Sequence, residues 1–471
     1  HPPARQSMSP HTRTTLRWLS LCLLSLPAAA DEAFQSTYHI APSSPTLIRG
    51  ATLLTGTGER IDSGDVLMVE GRIAAVGRDL QAPPGARVIE AQGKWVTPGL
   101  IDVHSHLGVF PTPSLRAHAD GNEITQPVTA QVWAEHSVWT QDPGFETALQ
   151  GGVTTLQILP GSANLIGGRT VVLKNVAATT VQAMKFPGAP HGLKMACGEN
   201  PKHFYGSRNQ APSTRMGSMA GYRQAFADAQ EYARQWDTYR AAAAAYESNG
   251  KDKDKNGKPP SPPRRDLRLE TLVEALNGRI PVHIHCYQAD DMAHMLDLSR
   301  EFGFRIAAFH HAVEAYKIAD LLAREKVCGA LWADWWGFKF EAFDGIQENL
   351  ALVDYVRGGC AIVHSDSAET IQRLNQEAAK AMVRGERMGL RIPPERAIRW
   401  LTANAAAVLG LADRVGTLEA GKMADVVIWN RTPFSVYALA EQVFIDGVLQ
   451  FDRSLPSRPR SDFMLGQGVD Q

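Results

Sequence analysis

Short apolar runs alternate with segments of helical periodicity over residues 100–410, and this alternation constrains the fold more than any other feature. The runs have the length of buried strands, and the segments between them space apolar residues as amphipathic helices do. Candidate strands cover 100–103, 153–159, 193–197, 280–286, 305–311, 327–332 and 361–364, with an eighth expected in or near 170–173. Candidate helices include 271–276, 290–302, 316–326 and 370–387. About eight such units favour a closed (β/α)8 barrel, with an open doubly wound sheet as the alternative.

Alternating segments of a different kind flank this region. Residues 47–96 read as several short strands separated by Gly, Asp and Pro, and a matching set covers 416–429 and 442–451. Strands at both termini with a long middle between them predict one composite β domain that is closed by the two ends of the chain.

Histidines stand at the carboxyl ends of several candidate strands, where ligands gather in a barrel. His104 and His106 are two residues apart at the end of the first strand, so both side chains point to one face. Neutral imidazole is a common ligand of zinc. The other candidates at strand ends are Lys194, Glu199, His283, His285, His310, His311, His364 and Asp366. One such residue alone is usually an ordinary buried polar group, but their recurrence predicts a metal site.

Residues 1–30 have the pattern of a secretory leader. Arg13 and Arg17 precede an apolar run over 18–26, and small residues at 28–30 offer a cleavage site. The run is shorter than the ~20 residues that cross a bilayer, which favours a cleaved signal peptide starting at Met8 over a membrane anchor. We therefore predict a periplasmic or secreted protein with no integral membrane span after signal cleavage.

Charge and cysteine usage exclude some classes of protein. A net charge of -1 gives no reason to expect nucleic acid as a partner. Cys197, Cys286, Cys328 and Cys360 follow the leader in apolar surroundings without a C-x-x-C spacing, which predicts four reduced core thiols.

Residues 221–265 begin Ala-rich and helical and end charged and Pro-rich, which predicts a helical insertion followed by a mobile loop.

Taken in chain order, the motifs resemble the amidohydrolase superfamily, in particular its imidazolonepropionase-like and prolidase-like branch. The resemblance rests on VTPGLIDVHSH at 96–106, GGVTT at 151–155, GENPKHFYG at 198–206, PVHIHCYQADD at 281–291, HHAVEAYKIAD at 310–320, HSD at 364–366, LTANAAAVLGL at 401–411 and GTLEAGKMADVVIW at 416–429. It implies a distorted (β/α)8 TIM barrel over 98–412, with a small composite β-sandwich domain formed by 31–97 and 413–471.

The resemblance also implies a set of metal ligands. His104, His106, His285, His311 and Asp366 match its positions, with His285 preferred over His283 and His311 over His310. The bridging ligand stays open between Glu199 and a carboxylated Lys194, and Glu199 is preferred because it follows a strand end. The implied cofactor is a divalent metal, one or two Zn2+.

The implied activity is hydrolysis of a C-N bond, in an amide, dipeptide or cyclic amide of a small substrate, by metal-activated water. Asp366 would be the catalytic proton carrier. Residues expected to face the substrate are Arg169, Tyr205, His283, Tyr287 and His310. A lactonase or esterase on the same site, or a catalytically silent binding protein, are the alternatives. A small molecule is the expected partner, and a homo-oligomer is compatible with the sequence.

Overall fold

The computed structural model describes residues 34–249 and 258–456. The predicted signal peptide at 1–30 and part of the predicted mobile loop lie outside the described residues. The chain divides into two units, His1–Gln35 and Ser36–Gln471, and every element below belongs to the second. Because these elements form one compact unit, the boundaries predicted at 97 and 412 stay predictions.

Strands and helices alternate through the middle of the chain. The strands are β1 (Thr46–Leu54), β2 (Arg60–Val69), β3 (Arg72–Gly77), β4 (Arg87–Glu90), β5 (Trp95–Pro98), β6 (Leu100–Ser105), β7 (Val153–Ile158), β8 (Ile166–Arg169), β9 (Val171–Lys174), β10 (Leu193–Ala196), β11 (Val282–Cys286), β12 (Ile306–His311), β13 (Cys328–Leu331), β14 (Ala361–Val363), β15 (Val426–Trp429), β16 (Ala440–Ile445) and β17 (Val448–Asp452). The α-helices are α1 (Pro143–Gln150), α2 (Glu199–Gly206), α3 (Arg215–Asn249), α4 (Leu267–Leu276), α5 (Ala289–Phe302), α6 (Ala319–Glu325), α7 (Asn349–Tyr355), α8 (Leu374–Arg387), α9 (Pro394–Ala397) and α10 (Ala403–Val408). Short 3-10 helices cover Arg116–His118, Ala134–Ser137, Val181–Ala183, Ala315–Ile318, Phe340–Ala342, Ile371–Arg373 and Ile398–Leu401. None of the described helices combines the length and the apolar character needed to cross a membrane.

Five consecutive strands of the middle region form a parallel sheet. Its order is β14-β13-β12-β11-β10, with β8 added antiparallel to β10. A second sheet holds β6, β7 and β9, where β6 and β7 run parallel. The seven predicted strands are therefore confirmed as strands, and the fold is a mixed α/β fold.

The predicted eighth strand is confirmed as a strand, but its direction is wrong for a parallel barrel. β9 runs antiparallel to β7. Only Thr170 separates β8 from β9, so one extended segment pairs with β10 at its start and with β7 at its end. No crossover helix precedes this segment in the described residues, which explains why it runs against its neighbours.

The six-stranded sheet and the three-stranded sheet also meet at their other edges, formed by β14 and β6. The backbone N–H of Asp366, beyond β14, donates to the carbonyl oxygen of His104 on β6 over 3.0 Å. The N–H of Ser365 donates to a carboxylate oxygen of Asp102 over 3.2 Å. These contacts bring the chain that follows β14 against the end of β6.

Strands from both ends of the chain share a separate sheet, as the sequence predicts. Its order is β17-β16-β15-β5-β1-β2-β3, and β4 also pairs with β1. The junction lies between β15 and β5, where Trp429 is in register with Trp95. Every residue of β15 is buried. This strand lies between β5 and β16, so it has a neighbour at both edges.

Helix α8 shows how the helices position the functional strands. Its buried residues include Leu374, Ala378, Ala381 and Gly385, which recur every three or four positions and therefore lie on one face. This face packs toward β14 and holds the strand that leads into His364 and Asp366.

The four cysteines are paired, so the prediction of four reduced thiols is wrong. Cys197 bonds to Cys286 with a Cα–Cα distance of 5.1 Å, and Cys328 bonds to Cys360 at 4.6 Å. Each pair joins the ends of neighbouring parallel strands. The partners are 89 and 32 residues apart in sequence, so only the order of the strands brings them together.

Candidate metal centre

Seven histidines meet at or just beyond the carboxyl ends of four strands. They are His104, His106, His283, His285, His310, His311 and His364, and all except His106 are buried. Ligand atoms of His104, His311 and Asp366 all lie within 4.8 Å of one another, and so do those of His104, His310 and His364. The strand-end histidines of the sequence are therefore brought into one cluster.

Three of these imidazoles point the same ring nitrogen at one carboxylate. The Nε2 atoms of His104, His106 and His311 lie 3.4, 3.2 and 3.9 Å from oxygens of Asp366. Nδ1 of His106 lies 2.8 Å from the carbonyl oxygen of Leu159, which can only accept, so Nδ1 carries the proton. A neutral His106 then turns its Nε2 lone pair toward an anionic oxygen, and a cation between the two atoms stabilises that arrangement.

The Nδ1 atoms of His104 and His311 contact a second row of buried histidines. This inner row consists of His283, His310 and His364. Nδ1 of His104 lies 2.9 Å from Nδ1 of His310, and Nδ1 of His311 lies 2.9 Å from Nε2 of His364. His310 continues through its Nε2 to Nδ1 of His283, also at 2.9 Å. A metal-ligating histidine typically has its second nitrogen hydrogen-bonded in this way, which fixes the ring and its tautomer.

His285 differs from the other histidines of the cluster in its polar contacts. Both of its ring nitrogens are buried without a hydrogen-bond partner among the described residues. Burial lowers its pKa well below the ordinary value, with the charge of Lys339 adding to the effect, so the ring is neutral. Unpaired buried polar atoms are rare in folded proteins, and a metal ion satisfies such nitrogens.

Two of the converging side chains depend on an unusual backbone conformation. Successive residues of a strand point to opposite faces, yet His310 and His311 both reach the cluster. His311 has a φ of 71° and Asp366 a φ of 50°. The left-handed region costs non-glycine residues about 1–3 kcal/mol, a strain that concentrates at functional sites. The turn at His311 brings its ring centroid to 4.6 Å from that of His285.

The structure separates the two candidates for the bridging ligand. Lys194 is fully buried on β10, in register with His283, and its ammonium donates to the carbonyl oxygen of Pro160 over 2.8 Å. Burial lowers its pKa to about 8, and its charge contributes to the lowered pKa values of several cluster histidines. Glu199 begins α2, and its backbone N–H donates to Glu341. Lys194 therefore lies in the row of His283, whereas Glu199 lies beyond its strand, at the start of a helix.

The remaining predicted substrate residues fall in different places. His283 and His310 belong to the fully buried inner row, where they contact other histidines. The hydroxyl of Tyr205 donates to Gln126 and Asn164, which is a packing role. Tyr287 also lies beside the candidate ligands, with its ring 5.0 Å from that of His285.

Arg169 lies toward the opposite end of the parallel strands from the histidine cluster. It is in register with Leu193, the first residue of β10, whereas the histidines gather at the last residues of the strands. Its guanidinium lies over the ring of Trp133 and donates to Thr271. β8 runs antiparallel to β10, so Arg169 at the end of β8 lies beside the start of β10, away from the cluster.

The sequence did not assign roles to two residues that touch the ligands. His364 orients His311, and its signal was its place directly before Ser365 and Asp366 at a strand end. Trp332 stacks on His311 with ring centroids 4.4 Å apart. Its apolar setting at the end of β13 looked like ordinary packing, so no signal in the sequence distinguished it.

Comparison with known proteins agrees with this geometry. The family described as "Amidohydrolase family" matches residues 352–449. The amidohydrolase tasK of Hapsidospora irregularis is 33% identical over 90% of this chain, which spans only 45% of the length of tasK. The imidazolonepropionase of Mesorhizobium japonicum is 23% identical over 79% of this chain and 87% of its own.

A solved structure extends the similarity to the fold. The crystal structure of an amidohydrolase from Thermotoga maritima MSB8 is 35% identical, with a TM-score of 0.75, and the match covers 87% of this chain and 100% of that one. The chain therefore belongs to the amidohydrolase family, as its motifs predicted.

Proposed function

We propose that this protein is a metal-dependent hydrolase that cleaves a C-N bond in a small substrate, such as an amide, a dipeptide or a cyclic amide. One observation carries the proposal. Three histidine Nε2 atoms converge on the carboxylate of Asp366, and each Nδ1 is in a hydrogen bond that, with Nδ1 as the donor, directs the lone pair of Nε2 inward. Neutral nitrogens and one carboxylate suit zinc and similar divalent ions.

The residues that would hold one or two Zn2+ ions are His104, His106, His285, His311 and Asp366, with Lys194 in carboxylated form between two ions. Carboxylation joins CO2 to the neutral amine and releases one proton, and the lowered pKa of Lys194, about 8, makes that amine available near neutral pH. When bound, a divalent ion supplies a water of lowered pKa and polarises the carbonyl of the substrate.

Asp366 is the proton carrier in this proposal. Its side chain keeps 24% of its surface exposed, whereas the imidazoles of His104 and His311 beside it are buried. It can therefore reach both the attacking water and the substrate. The carboxylate takes the proton of the water and returns it to the leaving nitrogen. The backbone N–H of Asp366, which donates to His104, holds the carboxylate at the ends of β6 and β14.

Two sets of backbone contacts support a distorted (β/α)8 barrel. The segment β8–β9 links β10 to β7, and Asp366 and Ser365 link the end of β14 to β6. In the proposed barrel the strands follow one another around a ring, and among the described strands of that ring only the β8–β9 segment runs antiparallel. The sheet shared by both ends of the chain supports the composite β-sandwich domain of 31–97 and 413–471.

Export from the cytoplasm is part of the proposal. The two disulfides support it, because such bonds persist in oxidising compartments and are rare in the cytosol. They agree with the leader pattern at 1–30, and we propose a periplasmic or secreted enzyme.

The test combines metal analysis with a substrate panel. Purified protein is assayed on dipeptides, N-acyl amino acids, cyclic amides, esters and lactones before and after chelation, and its metal content is measured. Chelator-sensitive cleavage of amides supports the proposal. Cleavage of esters or lactones alone would replace it with the lactonase alternative, and absence of both metal and turnover would replace it with the binding protein.

The bridging ligand is tested by a matched pair of variants. Lys194→Gln should lose one equivalent of metal and most of the activity, whereas Glu199→Gln should keep both. The reverse result would return the bridging role to Glu199. Equal loss in both variants would contradict a single bridging residue.

A further inference from the structure

The segment that follows β13 is rich in exposed aromatic side chains. Six aromatic residues occur within 332–343, which we call the aromatic loop, and they are Trp332, Trp335, Trp336, Phe338, Phe340 and Phe343. Phe338 is 56% exposed and Phe340 82%, whereas Trp332 is only 6% exposed. Large apolar surfaces of this kind are uncommon outside binding sites.

Aromatic rings lead without interruption from a candidate ligand toward solvent. Trp332 stacks on His311 with centroids 4.4 Å apart, and Trp335 stacks on Trp332 at 4.9 Å. On the other side, the ring of Tyr287 lies 5.3 Å from that of His311. Phe338 presents its edge to both Tyr287 and Trp332, at 6.2 and 6.0 Å. These four rings form a wall that begins at the metal ligands and ends in solvent.

Polar contacts hold this wall in place. The indole N–H of Trp332 donates to the carbonyl oxygen of Ser365 over 3.0 Å. The ammonium of Lys339 donates to Asn200 and Glu341 and lies 4.0 Å from the centroid of the Tyr287 ring. Glu341 in turn accepts the backbone N–H of Glu199. The loop is therefore anchored at both sides of Phe338, which keeps its exposed ring beside the ligands.

We propose that Phe338 and the accessible part of Trp335, supported from behind by the buried rings of Tyr287 and Trp332, form the specificity subsite of the enzyme and bind an apolar, preferably aromatic, group next to the scissile bond. This inference rests on the proposed function. The wall begins at His311, which lies 3.9 Å from Asp366, so a substituent of a substrate held there can contact it, and a polar substituent would lose hydration without gaining a partner. An aromatic substituent instead removes apolar surface from water and packs against the ring faces and edges.

Ordinary packing explains the wall less well. A packing role would bury Phe338, as it buries Trp332, yet more than half of the Phe338 ring remains accessible. Phe340 is still more exposed, but no aromatic ring contacts it in the described part of the chain, so it provides the matched control. Replacing either exposed ring removes little buried surface and should leave the fold intact.

The experiment compares Phe338→Ala with Phe340→Ala in the metal-loaded enzyme. Pairs of dipeptides and N-acyl amino acids that differ only in a phenylalanine or an alanine side chain are hydrolysed, with the variable side chain on either side of the bond. We expect the wild type to prefer the aromatic substrate in kcat/KM by about tenfold or more. Phe338→Ala should lower that ratio about tenfold, and Phe340→Ala should leave it unchanged.

The outcomes separate this inference from the function on which it rests. Cleavage without aromatic preference, or equal effects of the two variants, overturns the subsite and leaves the hydrolase in place. If no substrate is cleaved, the proposed function fails, and calorimetric binding of N-acetylphenylalanine and N-acetylalanine tests the subsite directly. Tighter binding of the aromatic probe that Phe338→Ala alone removes supports it, and equal binding overturns it.

Discussion

Two buried polar clusters in this molecule differ in how their polar groups are paired. Around Lys174 on β9, the charges are paired: its ammonium lies 2.8 Å from a carboxylate oxygen of Asp446 and 3.3 Å from one of Asp425. The hydroxyl of Tyr38 donates to Asp446 over 2.5 Å. In the histidine cluster, ring nitrogens of His283, His285 and His364 have no hydrogen-bond partner among the described residues.

The difference shows how burial alone can mislead. A buried charge that meets opposite charges ties elements together, and here it joins β9 to the chain around β15 and β16. Buried neutral bases that face one another and a single carboxylate leave electron pairs unsatisfied. In the first arrangement each charge has an opposite charge within 3.3 Å, whereas in the second both ring nitrogens of His285 have no partner among the described residues, an arrangement that suits a cation. Substitutions in the two clusters should therefore affect different properties.

The largest expected effect is on activity, in Asp366→Asn. Loss of the proton carrier should lower kcat/KM by about 10²–10⁴-fold. The free energy of unfolding of the metal-free protein should change by no more than about 1 kcal/mol, because burial lowers the pKa of His104 and His311 and these rings leave no buried charge unpaired. Steady-state kinetics and urea denaturation measure the two quantities.

The control for this variant is Asp413→Asn, whose side chain is 81% exposed. It should leave kcat/KM and stability unchanged. A fully active Asp366→Asn enzyme would contradict the catalytic assignment. It would also contradict the expected difference in role between the two clusters.

The next largest effect is on stability, in Lys174→Met. The substitution leaves the carboxylates of Asp425 and Asp446 buried without their cation, which should cost about 3–5 kcal/mol in urea denaturation. The metal content and kcat/KM of the folded fraction should not change. Lys94→Met is the matched control, because Lys94 lies 2.5 Å from Glu441 with a side chain that is 37% exposed, and such pairs contribute ~0–1 kcal/mol. Equal losses in the two variants would contradict the structural role of Lys174.

The smallest effect is on metal affinity, in His310→Gln. This variant removes the imidazole that holds Nδ1 of His104, and second-layer partners of this kind contribute about 10–100-fold in affinity. Competition with a chromogenic chelator measures the change, and exposed His294→Gln is the control. Unchanged affinity in His310→Gln would place His310 outside the metal centre.

The sequence predicted the positions of the parallel strands and most of the histidine cluster. Both follow from local patterns, since buried strands read as apolar runs and strand-end histidines such as His104 and His106 keep their spacing. The same patterns gave no information on direction or partner. The β8–β9 segment looks like any other short strand, so its antiparallel pairing and the resulting displacement of Arg169 were not predictable.

Local patterns also missed interactions between residues that are far apart in the chain. Cys197 and Cys286 are 89 residues apart, and they meet because β10 and β11 are neighbours. Lys194 and His283 are far apart in the chain, and only their register on neighbouring strands shows that Lys194 lies next to the histidine cluster. In the sequence, Trp332 resembles a core residue because it follows an apolar strand. Only the structure shows that its ring stacks on His311.

By itself, the sequence determined which elements form and which residues are candidate metal ligands, because periodicity and side-chain type are properties of short segments. The tertiary structure alone decided which nitrogens of His104, His106 and His311 face Asp366, how Lys194 and Glu199 lie relative to the histidines, and which aromatic rings lie beside them. Those features depend on strand order, register and the left-handed turns at His311 and Asp366, which arise only when distant segments pack together.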